Sequence, residues 1–508
     1  MGEATQGSGQ MMMIERMSYT SQTNLAYNKT FGKHNINAVL AYEVMKYDYE
    51  DMYGEKQVYG QTLNPSLDNG AKPADLTNTR QEDAMVSYVG SLNYGYNDKY
   101  YAGFSFRRDG SSRLAPDTRW GNFWAVSASW RLSQENFMKP WENVVSDMKL
   151  RASYGVNGNL PTGYYGYHGT YTTGAFYNGK PAPWEDAIAN PDLTWEKNYA
   201  LNLGVDLSLF RRVNLTFDWY TRTTKDLLMS KQLNSISGFG SILTNVGEMK
   251  NTGFEIEVRS SNIQTKDFSW NTTLSVTWSK EKIEKLPDGD LISENLFVGH
   301  SIKSIYGYKY TGIWGTNTPQ DILEAYGVKP GFIQIETLEK DGDGGVHKYS
   351  TNDRQVLGHT NPDWIVGLNN TFTYKKFLIC LYLQWLVMVK LLIVILLGYY
   401  TAEQSVTTNQ LAGADYWTEN NQGAYYPAPG TGSEQSTVIS ALRVRDGSFI
   451  KVKNITLGYT FPVNISRKAL MEKCRIYATA YNPFIYVKDK QLKGTDPETN
   501  GSDAFPYF

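Results

Sequence analysis

Val86-Ser87-Tyr88-Val89-Gly90-Ser91-Leu92-Asn93-Tyr94-Gly95-Tyr96 is the stretch that decides the fold. Val86, Tyr88, Leu92, Tyr94 and Tyr96 alternate with Ser87, Ser91, Asn93 and Gly95. After Asn97-Asp98-Lys99 the phase resumes, with Tyr100, Ala102, Phe104 and Phe106 against Gly103, Ser105 and Arg107. It returns again as Trp124, Val126, Ala128, Trp130 and Leu132 against Ala125, Ser127, Ser129 and Arg131. Strand side chains point alternately to opposite faces, so each segment has one apolar face and one small or polar face. Each runs to roughly ten residues, about what a tilted strand needs to cross a bilayer. Tyr and Trp gather at the segment ends, as an interfacial girdle requires. The expected fold is all-β: a transmembrane antiparallel β-barrel, present in part.

Composition agrees. Aromatics make up 14% of the 508 residues and Tyr alone supplies 37, yet the mean hydropathy is negative. A helical membrane protein is far more apolar, whereas a barrel needs apolar residues on only the outward half of each strand. Lys and Arg (49) nearly balance Asp and Glu (51), and no basic run interleaved with aromatics marks a nucleic-acid surface. The two cysteines, Cys380 and Cys474, lie far apart and make no disulfide framework or cysteine metal site. Met1 to Met17 is polar and rich in Gly and Met, with no apolar core. It does not read as a secretory signal peptide, and the expectation is an incomplete N-terminus.

The alternation recurs along the chain: Ile36–Tyr42, Leu150–Val156, Tyr199–Leu209, Val213–Trp219, Phe254–Val258, Trp270–Trp278, Tyr306–Trp314, Trp364–Tyr374 and Ile455–Phe461. About fifteen strands are expected by period-two alternation. Tight links such as Asn97–Lys99 and Arg211-Arg212 alternate with long polar stretches: Asp109–Asn122, Asn157–Glu196, Thr224–Lys250, Lys280–Ser304 and Thr316–Asn361. Outer-membrane barrels show this asymmetry, with short periplasmic turns and long extracellular loops. A complete bacterial barrel closes with an even strand number, so the odd count predicts a fragment.

Phe377 to Leu397 breaks the pattern, being apolar on both faces with only Gln384 and Lys390 interrupting. Two readings stand: a transmembrane helix on length and hydropathy, against which the barrel context argues, or a strand and turn scrambled by a local frame error. For the last, a back-translation of Leu386–Ile395 read two bases in gives Gly-Tyr-Gly-Lys-Val-Ile-Asn-Ser-Asn, an ordinary barrel turn.

Several blocks resemble the SusC/RagA branch of TonB-dependent outer-membrane transporters. They include Tyr88-Val89-Gly90-Ser91-Leu92-Asn93-Tyr94, Phe106-Arg107-Arg108-Asp109-Gly110-Ser111-Ser112-Arg113, Leu150-Arg151-Ala152-Ser153-Tyr154-Gly155 and Asn190-Pro191-Asp192-Leu193-Thr194-Trp195. Asn245-Val246-Gly247-Glu248-Met249-Lys250-Asn251-Thr252-Gly253-Phe254-Glu255, Asn361-Pro362-Asp363-Trp364 and Asn482-Pro483-Phe484 continue the series in the family's order. The resemblance implies a plugged barrel of ~22 strands in the outer membrane of Bacteroidetes-type bacteria. It implies import of oligosaccharides or peptides, energised by TonB, with a SusD-like surface lipoprotein as partner. Residues 1–508 then correspond to part of the barrel domain, without the family's plug and closing strand.

Two candidate sites stand out. Glu339, Asp341 and Asp343, interleaved with Gly342 and Gly344, resemble the start of a calcium loop, where hard oxygens converge through a sharp turn. Ser350 stands where a bidentate carboxylate is expected and His347 replaces an acidic residue, so a solvated turn is the competing reading. Tyr164, Tyr165, Tyr167, Tyr171, Phe176, Tyr177 and Trp184 crowd one long loop. Flat aromatic faces stack on sugars, and they equally pack loops against each other or against a partner protein. Five histidines sit in separate segments, and no nucleophile elbow, phosphate-cradling loop or Cys–His arrangement points to an enzyme. The alternative from a different class is a secreted or surface β-rich glycan-binding adhesin, which predicts strands nearer five or six residues.

Overall fold

The computed structural model describes residues 7–59, 66–174, 176–338, 348–387, 390–392, 415–429, 438–492 and 496–499. Their largest element is one sheet of fourteen strands, hydrogen-bonded neighbour to neighbour in chain order. These are β1 (Ser8–Phe31), β2 (His34–Tyr59), β3 (Gly70–Tyr96), β4 (Tyr100–Ser111), β5 (Trp120–Arg131), β6 (Val145–Asn159) and β7 (Glu196–Leu209). They continue as β8 (Val213–Lys225), β9 (Glu248–Gln264), β10 (Phe268–Lys285), β11 (Trp364–Tyr374), β12 (Phe377–Val387), β13 (Phe449–Thr460) and β14 (Arg475–Val487). Strands as long as the 27 residues of β3 far exceed those of a sandwich. Links of two or three residues, such as 32–33, 97–99, 210–212, 265–267 and 375–376, close antiparallel pairs. The long connections 160–195, 226–247, 286–363 and 388–448 all leave from the opposite strand ends.

The chain divides into two compact units, one of Met1–Asn136, Lys149–Leu203 and Arg222–Met249, the other of Phe137–Met148, Gly204–Thr221 and Lys250–Phe508. In the first, the registers carry the alternation across strands. Ala38 pairs with Leu92, Leu92 with Phe104, Phe104 with Val126 and Val126 with Tyr154, one apolar row over β2 to β6. Leu92, Phe104, Val126 and Tyr154 are exposed, a face that lipid stabilises and water does not. Aromatics flank this row. Tyr42, Tyr88 and Trp120 pack together toward the long connections, and Tyr100 stacks on Trp130 beside the short turns. Arg108 lies over the Trp120 ring, its charge drawn to the interface. The opposite face is polar. Arg107 binds both oxygens of Asp109 and reaches Ser87 and Glu43. Beside it Arg113 pairs with Asp83.

Several expectations are corrected. The Met-rich start, where the alternation marks no strand, forms β1, paired residue by residue with β2 from Ser8↔Gln57 to Phe31↔His34. Its weak patterning hid it, because the ladder offered by β2 outweighs local sequence preference. Tyr306–Trp314 is not a strand of the large sheet. It forms Ser304–Tyr308, paired with Arg354–His359, and Tyr310–Ile313, paired with Ile333–Ile335, both inside the connection 286–363. The sheet thus has fourteen strands, not fifteen, among the described residues. Phe377–Val387 is strand β12, in register with β11 and β13. The helix reading is excluded over Phe377–Val387, while residues 388–389 and 393–397 of the run lie outside the described residues. Among the described residues no helix is long and apolar enough to cross a membrane.

In β13, simple alternation would place Lys451 and Lys453 on the face of Ile455, Leu457 and Tyr459, toward lipid. The register shifts between Val452 and Asn454 against both β12 and β14. A one-residue slip reverses every side chain beyond it, so Lys451 turns inward and is buried. There it binds Asp496 and Glu498, and Lys453 shares Glu498. The bulge keeps two charges out of the bilayer.

Candidate functional site

The connection 160–195 carries the aromatic cluster, and the structure sorts its members into two groups. Tyr164, Tyr165 and Tyr167 turn onto the sheet. Tyr164 stacks on Tyr47 of β2, with ring centroids 6.3 Å apart and planes 11° apart, and the Arg113 guanidinium lies 4.5 Å from the Tyr164 ring centroid. Arg113 in turn donates to Asp83 and to the Pro161 carbonyl, clamping the loop's first residues. The Tyr165 hydroxyl accepts from the Glu82 amide at 3.0 Å. Tyr167 packs against a buried cluster of Leu114, Phe123, Val156, Leu193 and Trp195. Asn190 closes the loop's far end, its amide donating to the Tyr167 carbonyl and its side chain to the Leu243 carbonyl.

Tyr171, Phe176, Tyr177 and Trp184 form the second group, on a hairpin of Thr170–Thr172 paired with Trp184–Ala187 and Phe176–Tyr177 paired with Lys180–Pro181. All four are exposed, Tyr177 at 80%. Trp184 faces Thr172 while Tyr171 faces Glu185, so Tyr171 and Trp184 lie on opposite hairpin faces. They offer two separate rings and no single stacking platform. Nothing in the local sequence separates the two groups. The sorting comes from Tyr47, Glu82 and Arg113, distant in the chain.

The described residues 286–338 and 348–363 of one connection, with 415–429 and 438–448 of another, build a lobe with its own interior. Tyr308, Ile333, Ile335, Tyr426, Val438, Ala441 and Leu442 form one buried cluster drawn from both. Trp314, Leu323, Val328 and Phe332 form another around helix α1 (Gln320–Tyr326). Tyr349 joins them, its hydroxyl accepting from the Trp314 indole at 3.0 Å and the Ile335 amide at 3.3 Å. Burial pushes this phenol up to about 12. The calcium candidates Glu339, Asp341 and Asp343 lie outside the described residues. The residues flanking them are fixed by one fully buried carboxylate, Asp353, which accepts from the Leu338 amide at 2.9 Å and the Ser350 amide at 2.8 Å. Among the described residues no group of His, Cys, Asp or Glu is placed to hold a metal.

The inner face of β2 to β7 carries a polar cavity of about 570 Å³ near the short turns, with Asn35, Asn93, Ser127, Lys149, Arg151 and Asn202 in its wall. Sequence reasoning singles out no residue there, although the inward half of each alternating strand marks them as wall-forming.

Residues 4–482 match the family model described as TonB dependent receptor-like, beta-barrel. The chain belongs to the TonB-dependent receptor β-barrel family. Within it the chain is similar to members of the SusC/RagA type, and it is an outer-membrane protein. It is 32% identical over 507 residues to TonB-dependent receptor P3 of Formosa agariphila, covering 94% of this chain and 49% of that protein. It is 28% identical to TonB-dependent receptor SusC of Bacteroides thetaiotaomicron, covering 95% and 49%. The chain therefore spans about half the length of the curated relatives it matches. The fold matches the RagAB peptide transporter with a TM-score of 0.82 at 23% identity, covering 96% of this chain and 54% of that one. Family membership also sets aside the adhesin alternative.

Proposed function

We propose that this chain forms wall and extracellular loops of a TonB-dependent importer that takes up oligosaccharides or peptides with a SusD-like surface lipoprotein. The observation that carries the reading is the two-faced sheet. One face is an exposed apolar row between aromatic belts, and the other is a charged and amide-lined wall beneath long loops, the division a solute channel through lipid requires. Peptide cargo is supported by the likeness in fold to RagAB, a peptide transporter. Sugar stacking on the exposed hairpin rings is the glycan counterpart. Deleting the complete receptor gene and measuring uptake of labelled oligosaccharides and peptides, with and without a functional TonB, tests it. Unchanged uptake of every probe would remove the proposal.

We also propose calcium binding by Glu339, Asp341 and Asp343. Support comes from their alternation with glycine and from the anchoring of both flanks on Asp353. Titration calorimetry on the full chain with calcium, against a variant carrying Asp341→Asn and Asp343→Asn, checks it. Equal heats from the two proteins end the idea.

A further inference from the structure

The lobe meets the sheet at a neck near the end of β10, where the outgoing leg (Gly299–Ser304) and the returning leg (His359–Asp363) both pass the strand. Backbone bonds hold each leg to it. The Gly299 amide donates to the Ile283 carbonyl and the Ile283 amide to the His300 carbonyl, each at 2.8 Å. The Ser279 amide donates to the Asp363 carbonyl at 3.1 Å, and the Thr360 amide joins leg to leg at the Lys303 carbonyl. Glu281 sits between Ser279 and Ile283, and its side chain reaches both legs. One carboxylate oxygen, Oε1, accepts from the buried Ser301 hydroxyl at 2.6 Å and from the Asn361 side-chain amide at 2.6 Å.

We propose that Glu281 is the positioning residue that fixes this lobe on the sheet, one acceptor atom holding the outgoing and returning legs together. Charged acceptors make short, strong hydrogen bonds, and both of these are short. The surroundings give them weight. A pocket of about 320 Å³ opens beside the carboxylate, lined by His300, His359, Asn361 and Asp363 among others. Polar side chains from both legs and from β10 line it, so hydrogen bonds contribute to the lobe's placement there. The lobe's own interior lies farther along both connections, which lets it hold its shape while its attachment loosens. The consequence for cargo entry rests on the import reading above; the anchoring does not.

Hydrogen exchange on the full chain in detergent separates the possibilities without any cargo. In Glu281→Ala the amides of Lys303 and Thr360 are expected to exchange at least tenfold faster, with those of Ile333–Ile335 unchanged. Glu281→Gln keeps an Oε1 acceptor and is expected to restore protection to within twofold. Wild-type exchange in Glu281→Ala, loss of protection spreading to Ile333–Ile335, or failure of Glu281→Gln to rescue would each overturn the assignment. Uptake assays on the same variants then bear on import alone, so failure of the transport reading would leave the exchange result standing.

Discussion

The hairpin loop 160–195 and the lobe of 286–363 with 415–448 make an instructive pair. Both are long connections rich in Tyr, Phe and Trp, and both leave the same ends of their strands. The hairpin exposes Tyr171, Phe176, Tyr177 and Trp184, whereas the lobe buries Trp314, Phe332, Tyr426 and Tyr308. Tyr308 and Tyr426 are buried in a core shared by the two connections, while Trp314 and Phe332 pack around α1 within the first. Among the described residues the hairpin tip has no such second partner, and only the loop's first aromatics find the sheet. Aromatic density in a loop thus says little about function until the surface it packs on is known.

The contrast is broken most directly by exchanging two tryptophans for alanine. Trp314 is 7% exposed and donates to Tyr349. Trp314→Ala is expected to destabilise the lobe by about 3–5 kcal/mol through its cavity and a lost bond. Trp184 is 58% exposed, and Trp184→Ala is expected to stay within about 0.5 kcal/mol. Denaturant unfolding followed by hydrogen exchange in each loop measures both. Equal effects would mean that the division between packed and presented rings is false.

Asp353 tests how the lobe is closed without aromatics. It is fully buried and accepts two backbone amides from either side of 339–347. Asp353→Ala leaves those donors unsatisfied, at a cost of about 1–3 kcal/mol for a buried group. Faster exchange at Leu338 and Ser350, with the Ile333 amide still protected, is the expected pattern.

Tyr164 sharpens the comparison from the hairpin side. Its stacking on Tyr47 and under Arg113 is worth roughly 0.5–1.5 kcal/mol for an aromatic pair. Tyr164→Ala should loosen residues 160–169, read as increased protease cleavage there, while Tyr171→Ala should not.

How much of this is legible in the sequence follows from the range of the forces involved. The row Leu92–Phe104–Val126–Tyr154 is readable because alternation is local, and lipid selects it strand by strand. β1 is not, since its residues Met11 to Met13 alternate with nothing and its order is imposed by β2. The apolar run at 377 misleads for a similar reason. In β12, Cys380 and Tyr382 hold inward-facing register positions that a hydropathy average erases, and Cys380 there bonds Asn369. The frame-error reading of the run's later part is decided by the nucleotide sequence over Leu386–Ile395, where only codons permitting the shifted turn keep it. Among the site residues, loop membership is visible and packing is not. Tyr164 and Tyr171 are seven positions apart, and only contacts with β2 and Arg113 tell them apart.

The smallest expected effect lies at the other strand ends, where short turns need neither a lobe nor a hairpin. Glu135, just after β5, accepts from the Tyr100 hydroxyl at 2.6 Å, from Lys99 at 2.9 Å and from the Trp130 indole at 3.1 Å. These donors, the Tyr100 bond foremost, hold its carboxyl at about 2, below the ordinary 4.5. A carboxylate depressed in the folded state adds stability that is fully present above the unfolded value near 4.5 and is lost as pH falls through about 2. Thermal melting between pH 6 and 2 should therefore show a decline that Glu135→Gln flattens, with Trp130 fluorescence reporting the loss of its partner. A wild-type decline that survives the substitution would place the acid sensitivity elsewhere, in the carboxylates that hold the long-loop end.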